Sequence, residues 1–372
     1  MAINEFKKGG SEYVAEEIKK AIADESRTAY ITGFWDIETP IRIPSNMTIV
    51  LENCHLRVAT GVYSNIFQSE NFNTENGNTR AGACKNITIK GRGFAILDGN
   101  EEYNGLSERT QNKNGLPPIW YNNLLNFGNV DGFYVSGLQV RNQGWWALTF
   151  WGCRNGYIGN IDFCANDTRV DEDGKIHRGL IFSKYEETLV KNADGIDIRC
   201  GCNNILIENI TGFNEDDTIA LTALWGKYEE TFGCAELPHD IANITIKNVR
   251  AASYCSIVRL LNQGGTKLHD ILIDGIVDIC KSSPHLDYGC NAVKIGDLHP
   301  YGGKRHSTDD ETYNITVRNV YAEGINAIKL TGGMKNVLFQ GIECAKGTKM
   351  FQDDRGKDQT ENGTVYTKDK KW

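Results

Sequence analysis

Three aspartates occur at a spacing that would bring their carboxylates together. Asp194 lies in the stretch Asn192-Ala-Asp-Gly-Ile-Asp, and the adjacent pair Asp216 and Asp217 follows in Asn214-Glu-Asp-Asp-Thr-Ile. Carboxylates that converge repel one another, which raises the pKa of at least one of them and keeps it protonated near neutral pH. A protonated carboxylic acid beside an ionised carboxylate is the combination that acid/base cleavage of a glycosidic bond requires. The alternative is a structural role, since Asn, Asp and Gly also favour turns.

Two cations and an aromatic ring are predicted to lie near these acids. Arg259 and Lys294 occupy equivalent positions of later strands, where they could bind a carboxylate of a substrate. In the alternative interpretation they form a structural charge ladder that balances Asp197. Trp146 lies one long repeat before Asp194 and is predicted either to stack on a sugar ring or to pack in the core. Asp197, Arg259, Lys294 and Trp146 are therefore candidate substrate-binding residues.

The elements that must position these residues are short strands that recur along the chain. Each has apolar residues at alternate positions, as in Asn243-Ile-Thr-Ile-Lys-Asn and Asp270-Ile-Leu-Ile-Asp-Gly, which is typical of half-buried strands. A second type of strand has as its middle residues Thr149, Asp197, Ala220, Arg259, Lys294 and Lys329. Their separations of 48, 23, 39, 35 and 35 residues fit a unit of about 23 residues with insertions. This unit is typical of a solenoid, and it places Asp194 and Asp217 on neighbouring coils about 4.8 Å apart.

The repeat predicts the fold class and the domain organisation. We expect an all-β protein, a right-handed parallel β-helix whose stacked coils bury ladders of Ile, Val and Leu, with a β-sandwich as the main structural alternative. No helix-forming stretch separates the strands, which excludes leucine-rich and βαβ repeats. One domain over residues 1–372 is expected, with a polar C-terminal tail over residues 352–372.

The N-terminal segment is predicted to cover the open first coil of the solenoid. Residues 11–23 have the pattern of an amphipathic helix, for which Ser11 is the expected N-cap. Its apolar face would contain Val14, Ile18, Ala21 and Ile22. A solenoid needs such a cap because its first coil has no preceding neighbour.

Three long insertions interrupt the same half of the repeat, at residues 166–191, 225–239 and 282–312. Loops that rise from one face of a repeat protein commonly surround its binding site. We therefore expect these insertions to form walls around the acidic residues.

Composition excludes several classes of partner. The 372-residue chain contains 40 Lys and Arg against 48 Asp and Glu, a formal net charge of −8, which does not favour binding to nucleic acid or to an anionic membrane. No apolar run approaches the roughly 18 residues of a membrane span. No secretory signal is visible at the start of the sequence, so we expect a cytoplasmic protein. The 11 cysteines contain no Cys-x-x-Cys pair and are expected to be buried free thiols.

The sequence contains no recognisable motif for a metal or a cofactor. Its seven histidines do not have the spacing of metal ligands, and neither a phosphate-binding loop nor a dinucleotide fingerprint occurs. We therefore predict a protein without a metal or cofactor, whose partner is an oligosaccharide. The sequence makes no prediction of the oligomeric state.

The acidic motifs resemble those of the family 28 glycoside hydrolases, the polygalacturonases and their relatives. Those enzymes carry Asn-Thr-Asp-Gly-Ile-Asp and, one coil later, Gln-Asp-Asp-Cys-Ile-Ala, where this chain has Asn192-Ala-Asp-Gly-Ile-Asp and Asn214-Glu-Asp-Asp-Thr-Ile-Ala. Weaker similarities occur at Pro44-Ser-Asn-Met-Thr-Ile and at Asn142-Gln-Gly-Trp-Trp-Ala. The pattern as a whole extends over about residues 31–343.

The resemblance implies an inverting hydrolase, with Asp216 as the general acid and with Asp194 and Asp217 as the groups that activate the water. Two family motifs are altered in this chain. Where the family has Gly-His-Gly on the next coil, the chain reads Ser253-Tyr-Cys-Ser-Ile-Val, and its Arg-Ile-Lys motif is Lys294-Ile-Gly. Rhamnogalacturonan hydrolases are similar in lacking this histidine and in having a cysteine nearby. The sugar that the site accepts is therefore left open between galacturonate and another acidic or deoxy sugar.

The sequence therefore predicts a glycoside hydrolase that acts on a pectin-type oligosaccharide containing uronate or rhamnose. A cytoplasmic enzyme would receive a small, imported substrate, and walls that close one end of the cleft would favour exo action. Two alternatives stay open. One is a polysaccharide lyase or sugar epimerase on the same fold, with Arg259 or Lys294 as the basic residue. The other is a non-catalytic glycan-binding β-helix whose site has decayed.

Overall fold

Two parallel sheets form the body of the protein. The computed structural model describes residues 5–100, 104–165, 169–171, 173–177, 192–283, 291–297, 305–355 and 365–367. Within these residues one sheet, which we call the long sheet, has eleven strands, and a second, the short sheet, has ten. Each inner strand of a sheet pairs with the strands of the coils before and after it, and the pairings within both sheets are parallel.

The strands alternate between the two sheets along the chain. In sheet order, the long sheet contains β1 (Thr28–Ile37), β3 (Met47–Val58), β5 (Cys84–Asp98), β7 (Val130–Arg141), β9 (Arg154–Cys164), β13 (Asn203–Asn214), β15 (Ile241–Ser253), β17 (Leu268–Asp278), β19 (Thr312–Ala322), β21 (Lys335–Cys344) and β23 (Val365–Thr367). The short sheet contains β2 (Ile41–Ile43), β4 (Phe67–Ser69), β6 (Leu125–Gly128), β8 (Leu148–Trp151), β12 (Ile196–Arg199), β14 (Ile219–Ala223), β16 (Ser256–Asn262), β18 (Asn291–Ile295), β20 (Asn326–Leu330) and β22 (Lys349–Asp353). The other elements are the hairpin β10 (Arg169–Val170) and β11 (Ile176–His177), the helices α1 (Gly10–Ala23) and α2 (Lys227–Phe232), and a 3₁₀ helix (Ile119–Asn122).

The strand register stacks equivalent residues in columns. Along the short sheet, the residues paired one after another are Thr149, Asp197, Ala220, Arg259, Lys294 and Lys329. The repeat inferred from the sequence is therefore the repeat of the structure. Between the sheets lie columns of buried aliphatic side chains, such as Ile196, Ile219 and Val258, whose removal from water stabilises the stack. The predicted all-β, right-handed parallel β-helix is confirmed.

Asparagine occupies many of the sharp bends within the strands of the long sheet. Nearly all of the described non-glycine residues with positive φ are asparagines, among them Asn155, Asn204 and Asn243 at 56°, 55° and 55°. Asparagine tolerates the left-handed conformation because its short polar side chain can bond locally. Here the side-chain amides also bond from coil to coil, from Asn204 to Asn155 at 2.7 Å and from Asn209 to Asn160 at 3.1 Å.

Helix α1 covers the first coil, as predicted. Its buried residues include Val14, Ile18 and Ala21, and the helix packs on β1 and β2. Ile22, which was expected on the same apolar face, is 36% exposed. No helix in the described part of the chain is long and apolar enough to cross a membrane.

The prediction that Ser11 caps this helix is wrong, because α1 begins one residue earlier and Ser11 lies inside it. The Ser11 hydroxyl instead accepts hydrogen bonds from the backbone N–H groups of Glu38 and Thr39, each at 3.0 Å. Gly10 allows the close approach that these bonds need, since a Cβ there would lie 2.4 Å from the carbonyl oxygen of Asp36. Ser11 therefore fastens the helix to the first coil rather than starting it.

The β-helix continues into the segment predicted as a polar tail. Of residues 352–372, the structure describes 352–355 and 365–367. Residues of this segment end β22, which pairs with β20, and form β23, which pairs with β21. A terminal coil has a neighbour on one side only, so it can keep its strands with fewer apolar residues than an inner coil.

Two insertions stand beside the short sheet and face each other. Residues 225–239, which we call the helix wall, contain α2 and were predicted to form a wall. Residues 104–123, which we call the loop wall, lie between β5 and β6 and were not predicted. Of the insertion predicted at 166–191, the structure describes 169–171 and 173–177. Of the insertion predicted at 282–312, it describes 282–283, 291–297 and 305–312. The prediction of one continuous insertion at 282–312 is wrong, because strand β18 of the short sheet lies inside it.

The two walls share one apolar cluster and a direct hydrogen bond. Trp120 of the loop wall packs edge-on against Phe232 of the helix wall, with ring centroids 5.5 Å apart, and Trp151 of β8 packs beneath them. The Tyr228 hydroxyl donates to Gln111 Oε1 at 3.1 Å across the gap between the walls. The walls therefore meet and close one side of the space above the short sheet.

Candidate active site

A cavity of about 580 Å³ lies between the two walls and the short sheet. Within the described residues, its lining includes six acidic and five basic side chains, so charge is concentrated and nearly balanced. All seven residues singled out from the sequence line it: Trp146, Asp194, Asp197, Asp216, Asp217, Arg259 and Lys294. The structure therefore brings together residues that span almost 150 positions of the chain.

Asp194 lies immediately before β12, where the chain enters the short sheet. Asn192, at a φ of 59°, forms the corner, and Gly195 lets two coils approach, since a Cβ there would lie 2.6 Å from the carbonyl oxygen of Thr218. The backbone N–H of Asp217 donates to Asp194 Oδ1 at 2.9 Å. The two residues thus stack on neighbouring coils, as their spacing of 23 predicted.

Asp216 and Asp217 lie at the equivalent place on the next coil, just before β14. The Ser253 hydroxyl donates to the backbone carbonyl of Asp216 at 2.6 Å and fixes the turn. Arg259 Nη1 donates to Asp217 Oδ2 at 3.2 Å. Asp216 is 8% exposed and Asp217 is 1% exposed, so Asp216 offers more surface to a ligand.

Burial and neighbouring carboxylates change the ionisation of Asp194 and Asp197. Burial, followed by the charges of Asp197, Asp216 and Asp217, raises the pKa of Asp194 well above its ordinary value. Burial raises the pKa of Asp197 to about 7, against the opposing effects of Arg199 and of a hydrogen bond from Asp194. Both side chains therefore favour the protonated form more than a free aspartate does, and their ionisations depend on each other.

Asp216 and Asp217 are affected unequally. Burial, followed by the charges of Asp217 and Glu215, raises the pKa of Asp216 well above its ordinary value. Burial also raises the pKa of Asp217, but Arg259 and Lys294 oppose that shift. Asp217 consequently ionises more readily than Asp216. A protonated acid and an ionised base side by side are the requirement for acid/base catalysis.

The two predicted cations form a ladder with two carboxylates. Arg259 lies between Asp217 and Asp297, with Nη2 donating to Asp297 Oδ2. Lys294 Nζ donates to Asp297 Oδ1 at 2.9 Å. A charge ladder is thus present, as one interpretation of the sequence had it, but the carboxylates bonded to these cations are Asp217 and Asp297 rather than Asp197.

Arg199 links the cavity floor to the helix wall. Its Nε and Nη2 donate to Glu229 Oε1 at 2.9 and 2.6 Å, and its Nη1 lies 3.7 Å from Asp197 Oδ1. The guanidinium lies 4.3 Å from the ring centroid of Trp146, on which Trp145 also stacks at 3.8 Å. Because both groups pack on its ring, the Trp146 side chain is only 9% exposed where it lines the cavity.

Several residues of this site were not predicted from the sequence. Arg199 follows Asp197 by two positions on one strand, so alternation along β12 could have revealed it. Glu229 and Asp297 lie outside the strands, and no periodicity points to them. Glu108 of the loop wall accepts hydrogen bonds from Trp145 Nε1 at 3.0 Å and from the Asn192 side chain at 2.8 Å. It was not predictable either, because its position depends on the conformation of the loop wall.

One group of described side chains has the arrangement of cation ligands. Asp216, Asp217 and Cys255 each place one ligand atom within 4.8 Å of the others. The Cys255 side chain is also hydrogen-bonded to Asp216. Since the raised pKa of Asp216 favours its protonated form, a proton competes with any cation at this position.

Comparisons with known proteins identify the fold. No protein-family model matches this chain, and no curated protein matches it in sequence. The resemblance to the family 28 glycoside hydrolases accordingly remains an inference from the quoted motifs.

Solved structures do match. The surface protein and adhesin PfbA of Streptococcus pneumoniae is 12% identical over 96% of this chain and 92% of its own, with a TM-score of 0.57. A 1,3-α-1,4-β-D-galactose-4-sulfate-3,6-anhydro-D-galactose-2-sulfate 4-galactohydrolase is 12% identical over 94% of this chain and 88% of its own, with a TM-score of 0.55. The tailspike protein of E. coli bacteriophage HK620, in complex with a hexasaccharide, is 12% identical over 97% of this chain and 62% of its own, with a TM-score of 0.56.

These matches show a shared β-helix fold and nothing finer. One of the three similar proteins is named as a hydrolase, one as an adhesin and one as a tailspike bound to a sugar chain. A fold of this kind hosts several functions, so function must be argued from the site.

Proposed function

We propose that the protein is a glycoside hydrolase that cleaves a pectin-type oligosaccharide, containing uronate or rhamnose, by an inverting acid/base mechanism. The observation that carries this proposal is the stacking of Asp194, Asp216 and Asp217 on two neighbouring coils at the floor of a cavity, with unequal effects on their pKa values. Two carboxyl groups whose environments separate their pKa values can act as the acid and the base of one reaction.

The roles follow from the ionisation and the exposure of each acid. Asp216, protonated and the most exposed of the three, gives its proton to the glycosidic oxygen as the bond to the anomeric carbon breaks. Asp217, whose ionised form Arg259 favours, takes a proton from a water molecule that attacks the opposite face of the sugar. Asp194 holds its carboxylate against the backbone N–H of Asp217 and orients the same water. The products are a reducing sugar and a shortened chain. The inverted configuration of the sugar is proposed from the family resemblance and not from the separation of the acids, since oxygens of Asp216 and Asp217 lie within 4.8 Å of each other, closer than the roughly 6.5–9.5 Å usual for an inverting pair.

The walls support exo action. Tyr228 and Gln111 bond to each other across the gap between the helix wall and the loop wall. Glu108 bonds to both Trp145 and Asn192, so the loop wall is also fastened to the floor. A cavity closed on this side accepts the end of a sugar chain more readily than its middle.

The test is incubation with a panel of pectic oligosaccharides, with detection of new reducing ends and of the size of the products. Release of single sugar units from one end is expected. Replacement of Asp216 by Asn should lower kcat by roughly a hundred- to ten-thousand-fold, because a general acid contributes about that factor. Asp131→Asn, which removes a carboxylate paired with Arg154 on the long sheet, is the matched control and should leave kcat unchanged.

Other outcomes would assign a different function. Turnover that yields an unsaturated product, detected by its ultraviolet absorbance and abolished by a chelator, would indicate a lyase. Binding of an oligosaccharide with no product over days would indicate a non-catalytic glycan-binding protein. Asp216→Asn activity equal to that of the parent would refute the acid/base assignment.

A further inference from the structure

Asp297 lies against the two cations of the cavity floor because of a tight turn. After β18 the chain reverses at Gly296, which has a φ of 88°, and brings Asp297 back to Lys294. A side chain would not fit at this turn, since a Cβ on Gly296 would lie 2.2 Å from the backbone nitrogen of Gly332 on the next coil. The turn thus delivers one carboxylate to both Lys294 and Arg259.

The resulting contact has the geometry of a carboxylate-binding site. Arg259 and Lys294 are paired residues of the neighbouring strands β16 and β18, so their cationic groups lie side by side. Asp297 Oδ2 accepts a hydrogen bond from Arg259, and Asp297 Oδ1 accepts one from Lys294. All three side chains are 20% exposed or less, which strengthens their attraction relative to a surface ion pair. A uronic acid held by the same two cations would place its carboxylate where that of Asp297 is.

We propose that Asp297 is an internal substitute for a substrate carboxylate, and that the sugar unit bound over Arg259 and Lys294 is therefore a neutral or deoxy sugar rather than a uronate. The inference rests on the proposed function, because it concerns the sugar that the same cavity binds. Asp297 is a specificity-determining residue in this account.

The charge count around the two cations supports this assignment. Arg259 and Lys294 contribute two positive charges, and Asp217 and Asp297 contribute two carboxylates that bond to them. A uronate would add a third carboxylate to the group, close to the further acid Asp216. Burying an anion without a compensating cation is strongly unfavourable. Sugar hydroxyls, by contrast, both donate to carboxylates and accept from guanidinium and ammonium groups.

The experiment compares Asp297→Asn with the parent in binding to D-galacturonate, D-galactose and L-rhamnose, followed by calorimetry. The parent is expected to bind a neutral sugar at least as tightly as galacturonate. In Asp297→Asn, affinity for galacturonate should rise at least tenfold, while affinity for the neutral sugars changes less than threefold. Asp354→Asn is the matched control, because Asp354 lies 3.6 Å from Lys329, the next cation of the same column, and outside the cavity lining.

Two results would overturn the proposal. One is a parent protein that prefers galacturonate and loses this preference in Arg259→Gln, since the cations would then bind the substrate carboxylate directly. The other is no gain in galacturonate affinity on Asp297→Asn. Should none of the monosaccharides bind, acetate is titrated against the arginine Nε–H signals in NMR spectra, and absence of saturable acetate binding to Asp297→Asn refutes the proposal.

This experiment separates the inference from the proposed function. Binding of monosaccharides and of acetate requires no turnover. If the protein cleaves no oligosaccharide of the panel but gains galacturonate affinity on Asp297→Asn, the inference about Asp297 holds and the hydrolase assignment is refuted. If the protein cleaves a uronate-terminated chain equally well with and without Asp297, the hydrolase assignment holds and the inference about Asp297 is refuted.

Discussion

At the scale of single residues, the acids of the cavity floor divide into two pairs whose charge is compensated differently. Asp217 has Arg259 at 3.2 Å, whereas Asp216 beside it is affected more by the carboxylates of Asp217 and Glu215 than by Arg259. Asp194 is surrounded by the carboxylates of Asp197, Asp216 and Asp217, and the main charge that opposes the shift at Asp197 is Arg199. One pair therefore separates a weaker acid from a stronger one, and burial favours the protonated form in the other. When the pKa values of two carboxylic acids differ in this way, one can donate a proton and the other can accept one at the same pH.

Replacing Asp197 by Asn is expected to stabilise the protein at neutral pH. Burial raises the pKa of Asp197 from 3.8 to about 7, so the folded state holds this proton more tightly than the unfolded chain does. Stability from this group is therefore fully present below pH 3.8 and is lost as the pH rises toward 7. The parent should lose roughly 2 to 4 kcal/mol of unfolding free energy across this interval from Asp197, and the Asn variant should not.

Urea unfolding at about pH 4 and about pH 8 measures this difference. Asp197→Asn and the parent should have similar unfolding free energies at the lower pH and diverge at the higher one. Asp274→Asn serves as a control of opposite sign, because a hydrogen bond from Arg318 lowers the pKa of Asp274. Parallel pH dependence of Asp197→Asn and the parent would contradict the assignment.

The sequence predicts residues that follow the repeat better than residues in the insertions and turns between its units. Asp194, Asp217 and Arg259 were placed correctly because a fixed unit of 23 residues sets which side chains stack, and register is a local property of the chain. Asp297 and Glu229 escaped because each follows a turn or lies in an insertion, where contacts between distant segments decide its direction. The packing of Trp146 was equally hidden, since it depends on the guanidinium of Arg199 from a neighbouring coil.

At the scale of elements, the helix wall is held to the β-helix by a buried ion pair. Glu229 of α2 accepts two hydrogen bonds from Arg199 and one, at 3.1 Å, from the backbone N–H of Gly226 at the start of the helix. A six-residue helix has little stability of its own, so its position depends on such contacts. The pair therefore sets the place of Tyr228, which closes the cavity against the loop wall.

Replacing Glu229 by Gln should destabilise the protein by about 3 kcal/mol, because it leaves the buried charge of Arg199 without its main partner. The measurement is urea unfolding at neutral pH. Oligosaccharide hydrolysis should show a larger rise in KM than fall in kcat, since the wall binds the chain end and does not take part in proton transfer.

The double variant Arg199→Met, Glu229→Leu is the matched control for this prediction. Replacing both members of a buried ion pair by apolar residues of similar size is often close to neutral for stability. The double variant should therefore recover most of the unfolding free energy lost in Glu229→Gln. A single variant that costs less than about 1 kcal/mol would show that the apolar cluster alone holds the wall.

At the scale of the whole molecule, each coil contacts mainly its two neighbours. The terminal coils and the middle coils can therefore have different roles. The catalytic candidates lie on the middle coils of β12, β14 and β16, and α1 covers the first coil. In a solenoid, the covering element is required for solubility, whereas a central site depends on local stacking. This division explains why the sequence predicted the cap, the repeat and the acids independently of one another.

Replacing Ile18 by Asp should therefore destabilise the protein and promote aggregation without lowering the activity of the candidate site. Ile18 lies on the buried face of α1 and is 5% exposed. A carboxylate there would displace the helix and uncover β1, the edge strand of the long sheet. An uncovered edge strand pairs with other chains, so light scattering should show aggregation and the melting temperature should fall by several degrees. Ile22→Asp is the matched control, because Ile22 lies on the same helix and is 36% exposed. The soluble fraction of Ile18→Asp should keep the parent kcat/KM, and a loss of kcat/KM in that fraction would show that the first coil and the cavity are coupled after all.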